Sequence, residues 1–224
     1  MVHARLQKLQ RAHYEGRMAI SLAIAACTCL LSFGVYRDAN PTLTFPAAVF
    51  GVGPDTAVRF GFLILAMPLA VVSLLRMWAG SALTSETVMA SDVRLDFLID
   101  SGHYALVRNP IYLADLVAMC VFSLCLPPVG LALPVLFYLH YRLLIRYEER
   151  AMSERFGRPF TIYCARVRRL VPRAAGLMSF LRTAPSLPIS RDGFRHNSLF
   201  LLFMPGLAIA AYTLQAGQSG KMAI

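Results

Sequence analysis

Residues 110–141 form a long apolar stretch, PIYLADLVAMCVFSLCLPPVGLALPVLFYLHY. After Pro110, its only formal charge is Asp115. Pro127 and Pro128 interrupt the apolar run, and a helix does not continue through such a pair. The stretch therefore predicts a helical hairpin. Counted from residue 110 to residue 147, each leg has about 19 residues, or roughly 28 Å of helix, so we expect both legs to cross a hydrocarbon core of about 30 Å.

The composition supports a membrane protein. Hydrophobic residues make up 57% of the 224 residues and charged residues only 15%, whereas a soluble domain has about 45–50% and about 25%. Three more apolar runs predict spans at Met18–Tyr36, Phe60–Leu75 and Ser198–Ala216. The expected fold is an all-α integral membrane protein of about five transmembrane helices, with the lipid bilayer as its first partner.

Basic residues predict the orientation. Residues 142–196 carry twelve arginines, whereas the loop 37–56 carries only Arg37. Because cytoplasmic loops are enriched in Lys and Arg, we expect the N-terminus in the cytoplasm, the C-terminus outside and an inner membrane of bacterial type. The net charge of +10 then reflects basic loops at an anionic leaflet rather than nucleic-acid binding. The five cysteines show no C-x-x-C spacing, so neither a disulfide scaffold nor a metal site is expected.

The segments that flank the hairpin carry the polar residues. LIDSGHYALVRNPIY (98–112) precedes it, and YEERAMSERFG (147–157) and VRRLVP (167–172) follow it. The hairpin should bring these segments together at one membrane face. Arg108 would then lie at a helix N-terminus, where anions are favoured, opposite Glu148 and Glu149. Such a pocket suits a zwitterion such as an amino acid group.

The residues of the second leg predict a substrate-binding face. Tyr138, Tyr141, Arg142, Ile145 and Glu148 follow i, i+3/i+4 spacing and should share one side of a helix. We therefore expect Tyr138, Tyr141 and Arg142 to contact the substrate.

Together these motifs resemble a family. The pattern G-x-Y-x-x-x-R-[HN]-P-x-Y, a hairpin, E-E-x-x-x-x-x-x-F-G and a closing V-R-R-x-V-P are similar to the integral-membrane methyltransferases related to isoprenylcysteine carboxyl methyltransferase, a group that includes phospholipid methyltransferases. The resemblance covers about residues 76–172. It divides the chain into residues 1–75 with two spans, a methyltransferase core at 76–173, and a loop plus an extra span at 174–224.

The resemblance implies S-adenosylmethionine as the cofactor, bound in a cytoplasmic pocket. By motif position the cofactor contacts would be Leu98, Ile99, Gly102, Tyr104, Arg108, Asn109, Pro110, Tyr112, Glu148 and Glu149, with Arg108 and Glu148 as catalytic residues. His103 and Asn109 depart from the commonest residues of the family. Leu144 stands where the eukaryotic carboxyl methyltransferases have a substrate-contacting arginine, which argues against a prenylcysteine substrate.

Three functions remain open at this point. The first is methylation of an amphiphilic or lipid-like acceptor, at oxygen, nitrogen or sulfur. The second is a non-catalytic subunit that binds other membrane proteins in a larger complex. The third is a membrane reductase, because sterol reductases share parts of this architecture and use a nicotinamide cofactor.

Two further features of the sequence each allow two interpretations. Asp115 and His140 lie within predicted spans at similar depth, where ionisable groups are costly and often functional; they could pair, or each could make a structural hydrogen bond. The basic stretch Arg155–Arg173 contains Phe156, Phe160 and Val167. It resembles an interfacial amphipathic helix, although a solvated basic face would have a similar pattern.

Overall fold

A helical hairpin lies at the centre of the structure, as the sequence predicts. The computed structural model describes residues 2–35, 53–81 and 98–173, with the single positions 49, 51, 178, 191 and 195. Within these residues every regular element is a helix. The elements are α1 (Val2–Glu15), α2 (Arg17–Val35), α3 (Pro54–Ser81), α4 (His103–Leu106), α5 (Pro110–Leu124), a 3-10 turn (Pro128–Leu131), α6 (Ala132–Phe156) and α7 (Arg158–Arg166).

The two legs of the hairpin differ in length. Helix α5 has 15 residues and is about 22 Å long, shorter than the predicted leg, because the chain leaves the helix at Cys125, ahead of the proline pair. Helix α6 has 25 residues, or about 38 Å. It is longer than a hydrocarbon core is thick, so one end of α6 extends out of such a core.

Proline and glycine set the ends of these helices. Pro110 occupies the first turn of α5, where its missing N–H costs no hydrogen bond. Gly157 ends α6 with φ 57°, a left-handed conformation that favours glycine. The chain turns there and continues as α7. The stretch Arg155–Arg173, which resembles an interfacial amphipathic helix in sequence, is not one helix: α6 ends at Phe156, and α7 is a separate short helix.

Helix α3 is longer than the span predicted at Phe60–Leu75. It has 28 residues, and Arg76, expected to end it, lies inside the helix. The Arg76 Nε donates a hydrogen bond to Asp115 Oδ1 on α5. This ion pair explains why a charge is tolerated within the apolar helix. Asp115 and His140 do not pair as proposed above, because Asp115 binds Arg76 while His140 contacts Ser21 Oγ at 3.1 Å and His13 Nε2 at 3.1 Å.

The N-terminal helices form an elbow. Helix α2 agrees with the predicted span Met18–Tyr36 to within one residue at each end. The apolar part of α2 meets α1 at an angle of 69°, with Gly16 at the break. The α1–α2 elbow, residues 14–17, is the name used below for this bend.

Two helices in the described residues are long and apolar enough to cross a membrane, at Leu63–Ser81 and Pro128–Phe156. The bent pair Gln7–Glu15 and Arg17–Ser32 makes a third if it counts as one span. The predicted span at 198–216 and most of the loops 37–56 and 174–197 fall outside the described residues, so the count of five spans and the 174–224 segment stay predictions.

Apolar packing joins the elements in three clusters. Leu69 and Val72 of α3 pack against Ala114, Ala118 and Val121 of α5. A second cluster joins the α1–α2 elbow to α6 through Tyr14, Phe137 and Tyr141. The third joins α7 to the segment before α4, as its members Phe160, Tyr163, Val167 and Leu98 indicate. The third cluster holds Phe160 and Val167 inside the protein, not in lipid. It forms one wall of the cavity described in the next subsection.

Candidate functional site

The two polar segments that flank the hairpin meet, as the sequence predicts. The backbone N–H of Arg108 donates to the carbonyl of Arg168 at 2.8 Å, and that of Asn109 donates to the carbonyl of Arg169 at 3.1 Å. The Tyr163 hydroxyl donates to the Tyr104 carbonyl at 2.7 Å. These bonds join positions about 60 residues apart in the chain.

A cavity opens where the segments meet. It encloses about 310 Å³ of empty space, open solvent at its mouth included. Seven of its ten lining residues belong to the predicted cofactor set: Leu98, Ile99, Tyr104, Arg108, Asn109, Glu148 and Glu149. The other three, Met152, Phe160 and Tyr163, were not among the predicted site residues. For Met152 the sequence held a signal, because it follows Glu148 at i+4 on α6 and so lies on the same side of the helix.

The remaining three predicted cofactor residues shape the cavity or support it. Gly102 adopts φ 57° just before α4, so a residue with a side chain would be strained there. Pro110 is buried at the start of α5. Tyr112, two residues further into α5, reaches Glu148 across the hairpin.

Arg108 is held by the protein itself. Its Nε donates to Glu149 Oε1 at 2.9 Å, and its Nη1 donates to the carbonyls of Cys164 at 3.1 Å and Val167 at 2.5 Å. Arg108 therefore fixes the end of α7 against the start of α5. A cofactor carboxylate, the ligand expected for Arg108, would have to compete with these contacts.

The adjacent glutamates have different surroundings. Glu149 bonds Arg108 through one oxygen and Arg169 through the other, at 2.7 Å from Arg169 Nε. The hydrogen bond that Arg169 donates to Glu149 raises the pKa of the Arg169 guanidinium. Glu148 instead accepts a hydrogen bond from the Tyr112 hydroxyl at 2.7 Å and makes no direct ion pair within the described part of the chain. Of the two carboxylates, Glu148 is thus the one placed to bind a ligand.

The α1–α2 elbow also reaches Glu148. The Tyr14 hydroxyl hydrogen-bonds this carboxylate. The Arg17 guanidinium lies over the Tyr14 ring, 4.4 Å from its centroid. Sequence reasoning missed Tyr14 as a partner of Glu148, because residues 14–17 belong to no part of the family-like motif.

Burial differs among the three predicted substrate residues. Tyr141 is buried, its hydroxyl donates to Asp115 Oδ2 at 3.3 Å, and its ring centroid is 4.9 Å from that of Tyr112. Tyr138 and Arg142 are exposed. Because steps of three and four residues keep side chains on one side of a helix, the predicted face runs from the buried Tyr141 to these two exposed residues at its edge.

Burial controls the titration of the groups beside the cavity. His103 is 3% exposed and its ring stands edge-on to Trp78, with the centroids 4.2 Å apart. Burial lowers the pKa of the His103 imidazole to about 4, so this side chain is neutral near pH 7. Burial and the nearby Glu148 raise the pKa of the Tyr104 phenol. Both groups therefore act as neutral hydrogen-bonding or packing side chains.

No family model, curated protein or solved structure matches this chain. Arguments about its function therefore rest on the residues and the geometry above.

Proposed function

We propose that the protein is a membrane methyltransferase that transfers a methyl group from S-adenosylmethionine to an amphiphilic or lipid-like acceptor. One observation carries the proposal. The two halves of the composite motif, more than 35 residues apart in sequence, meet around a single cavity, and most of the residues assigned to the cofactor by motif position line it.

The chemistry of the cavity fits this cofactor. Glu148 offers a carboxylate for an ammonium group or ribose hydroxyls, and charge-assisted hydrogen bonds of this kind are strong. Leu98, Ile99 and Phe160 offer apolar and aromatic surface for an adenine ring.

Some residues of the cavity would bind the methyl donor, and others would hold the cavity walls in position. When bound, S-adenosylmethionine supplies an electrophilic methyl group on a positively charged sulfur. Glu148 binds the donor, and Arg108 with Glu149 holds the cavity walls in place as positioning residues. Transfer of a methyl group asks mainly for proximity and alignment of the reactants. An ammonium or thiol acceptor must also lose a proton. We assign acceptance of that proton to the Glu148 carboxylate.

The acceptor would approach along α6. Val135, Leu139 and Leu143 are exposed apolar residues on this helix, and Tyr138 and Arg142 are exposed beside them. A lipid tail can lie along such a surface without leaving the bilayer, which would cost about 0.8 kcal/mol per CH₂. We therefore assign Tyr138 and Arg142 to the acceptor's path, and Tyr141 to support of Tyr112.

The proposal includes five spans, an N-terminus in the cytoplasm and a site on the cytoplasmic side of a bacterial inner membrane. The distribution of arginines supports this orientation. Reporter fusions at positions 45 and 220 should both indicate the outside; a cytoplasmic signal at 220 would mean that the last apolar segment does not span.

The non-catalytic alternative is favoured by one observation. Arg108 and Glu149, two of the most distinctive motif residues, are engaged in contacts within the protein. A chain that kept the motif only for its fold would retain these contacts and serve as a subunit of a larger complex.

Turnover distinguishes these functions. The purified full chain would be incubated with methyl-labelled S-adenosylmethionine and a total lipid extract, beside Glu148→Gln and the matched control Glu154→Gln, which alters an exposed glutamate on the same helix. We expect label in an organic-soluble product with the wild type and Glu154→Gln, and at least a tenfold lower rate with Glu148→Gln. Donor binding without transfer would favour the subunit, and binding of NADPH instead would favour the reductase.

A further inference from the structure

Helix α1 turns away from α2, the first predicted span. Helix α2 has 19 residues, or about 28 Å, which is close to the thickness of a hydrocarbon core on its own. The chain bends by 69° between the two helices. Because spanning helices tilt by only about 20° on average, a helix at 69° to such a span lies closer to the membrane plane than to the membrane normal.

Contacts with α6 show the level at which α1 lies. The Tyr14 ring packs against the Tyr147 ring, with 4.9 Å between the centroids. Arg150 Nη1 donates a hydrogen bond to Gln10 Oε1 at 3.3 Å. Tyr147 and Arg150 flank the two glutamates of the candidate site in the last third of α6. Helix α1 therefore crosses α6 where the apolar part of that helix ends and its polar part begins.

His13 marks the side of α1 that faces the apolar part of α6. Its Nε2 lies 3.1 Å from Nδ1 of His140. His140 is seven positions, or about 10 Å, nearer to the apolar end of α6 than Tyr147 is. Leu9 precedes His13 by four residues and so lies on the same side of α1. Leu9 is 67% exposed, so an apolar side chain is left uncovered on the side where acyl chains would begin.

Basic residues occupy the other side of α1. Lys8 and Arg11 are exposed, and at 100° per residue both lie more than about 120° around the helix from His13. Arg5 is exposed between the two sides, and within the described residues neither Arg5 nor Lys8 makes an ion pair. A leucine towards the acyl chains with cations above it is typical of a helix that lies in the membrane interface and is attracted to anionic lipids.

We propose that α1 is an interfacial helix that binds the anionic leaflet of the bilayer, with Leu9 at the boundary of the acyl chains and Arg5, Lys8 and Arg11 among the lipid phosphates. The observations favour a lipid surface over an acidic protein, because α1 leads directly into a predicted span and its exposed leucine lies on the bilayer side. The inference goes beyond the proposed function and does not depend on methyl transfer.

Thiol accessibility at two neighbouring positions tests this placement. Leu9→Cys and Gln7→Cys would lie about 200° apart around α1, and both positions are exposed in the protein, so the protein itself shields neither thiol. The full chain would be placed in lipid nanodiscs of phosphatidylcholine, alone or in equal parts with phosphatidylglycerol. The measured quantity is the rate of reaction with a charged, membrane-impermeant maleimide. The wild-type chain with its five cysteines gives the background, and thermal unfolding shows that each variant is folded.

In anionic nanodiscs we expect Leu9→Cys to react about tenfold more slowly than Gln7→Cys, because acyl chains exclude the charged reagent. This ratio should fall below about threefold in phosphatidylcholine alone. The added pair Arg5→Gln and Lys8→Gln should lower the ratio in anionic nanodiscs in the same way.

Equal rates for the two thiols in anionic nanodiscs would overturn the interfacial placement. The same ratio in both lipid compositions would overturn the recognition of anionic lipid. Protection of Leu9→Cys in native membranes but not in nanodiscs would indicate a protein partner, and would also overturn the proposal. None of these outcomes bears on donor binding, so the proposed function is tested separately.

Discussion

The Tyr112 hydroxyl donates a hydrogen bond of 2.7 Å to Glu148 Oε1. The bond joins the first turn of α5 to the last third of α6, so it closes the polar end of the hairpin. It also connects two environments, since the Tyr112 ring packs 4.9 Å from the Tyr141 ring while Glu148 lines the cavity. The orientation of the cavity carboxylate thus depends on a residue that the cavity itself does not include.

Replacing Tyr112 by Phe tests this bond with the ring retained. A hydrogen bond to a charged group contributes about 1.5–3 kcal/mol, so we expect Tyr112→Phe to lower the free energy of unfolding by about that amount. The exposed Tyr138 provides the matched control, and Tyr138→Phe should change stability by less than about 0.5 kcal/mol. Thermal unfolding in detergent measures both, and similar losses in the two variants would contradict the assignment.

Glu149 should be more important for stability than for binding. It is 12% exposed and bonds both Arg108 and Arg169. Removing one partner of a buried ion pair costs about 3–5 kcal/mol, so Glu149→Gln should lower the melting temperature strongly. Arg169→Gln should cost less than about 1 kcal/mol, because Arg169 is 49% exposed and water screens its charge. A stable Glu149→Gln variant would show that the network does not hold α7.

The Arg76–Asp115 pair should behave as a unit. It joins α3 to α5 inside the apolar part of the fold, where an unpaired charge is expensive. Arg76→Met and Asp115→Leu should each destabilise by about 3–5 kcal/mol, whereas the double variant should lose much less than the sum. A double-mutant cycle of thermal unfolding measures the coupling, and additive losses would mean that the two side chains do not depend on each other.

His103 predicts a pH dependence of stability. Burial lowers its pKa from 6.5 to about 4 in the folded chain, so between these values the unfolded chain binds a proton that the folded chain does not. Stability should therefore fall as the pH drops below about 6.5 and level off near pH 4, by at most about 3 kcal/mol from this residue. The difference in melting temperature between wild type and His103→Phe isolates the effect. Parallel pH profiles for the two proteins would contradict it.

Sequence patterns predicted the elements that depend on neighbouring residues. The apolar run with Pro127-Pro128 predicts the hairpin because proline acts on its own turn, and Pro110 predicts the start of α5 for the same reason. The meeting of the two motif halves followed from the hairpin. Helix ends were less accurate, since Arg76 was taken as a boundary although its charge is neutralised by Asp115 on another helix.

Partners that come from distant helices could not be predicted. Nothing in the spacing of residues 14–17 shows that a bend of 69° brings this elbow to Glu148. Likewise, His140 has suitable partners on several helices, and only the packing of α1 and α2 on α6 selects His13 and Ser21. The separate roles of Glu148 and Glu149 also required the structure, because adjacent residues on a helix point about 100° apart.

Binding of S-adenosylhomocysteine to the purified full chain tests whether the cavity around Glu148 is a donor site. Titration calorimetry would compare the wild type, Glu148→Gln and the exposed-site control Glu154→Gln, with NADPH as a second ligand. We expect saturable binding of S-adenosylhomocysteine by the wild type and Glu154→Gln, about 10- to 150-fold weaker binding by folded Glu148→Gln, and no binding of NADPH. Equal affinity in all three proteins, or no binding by the wild type, would contradict it.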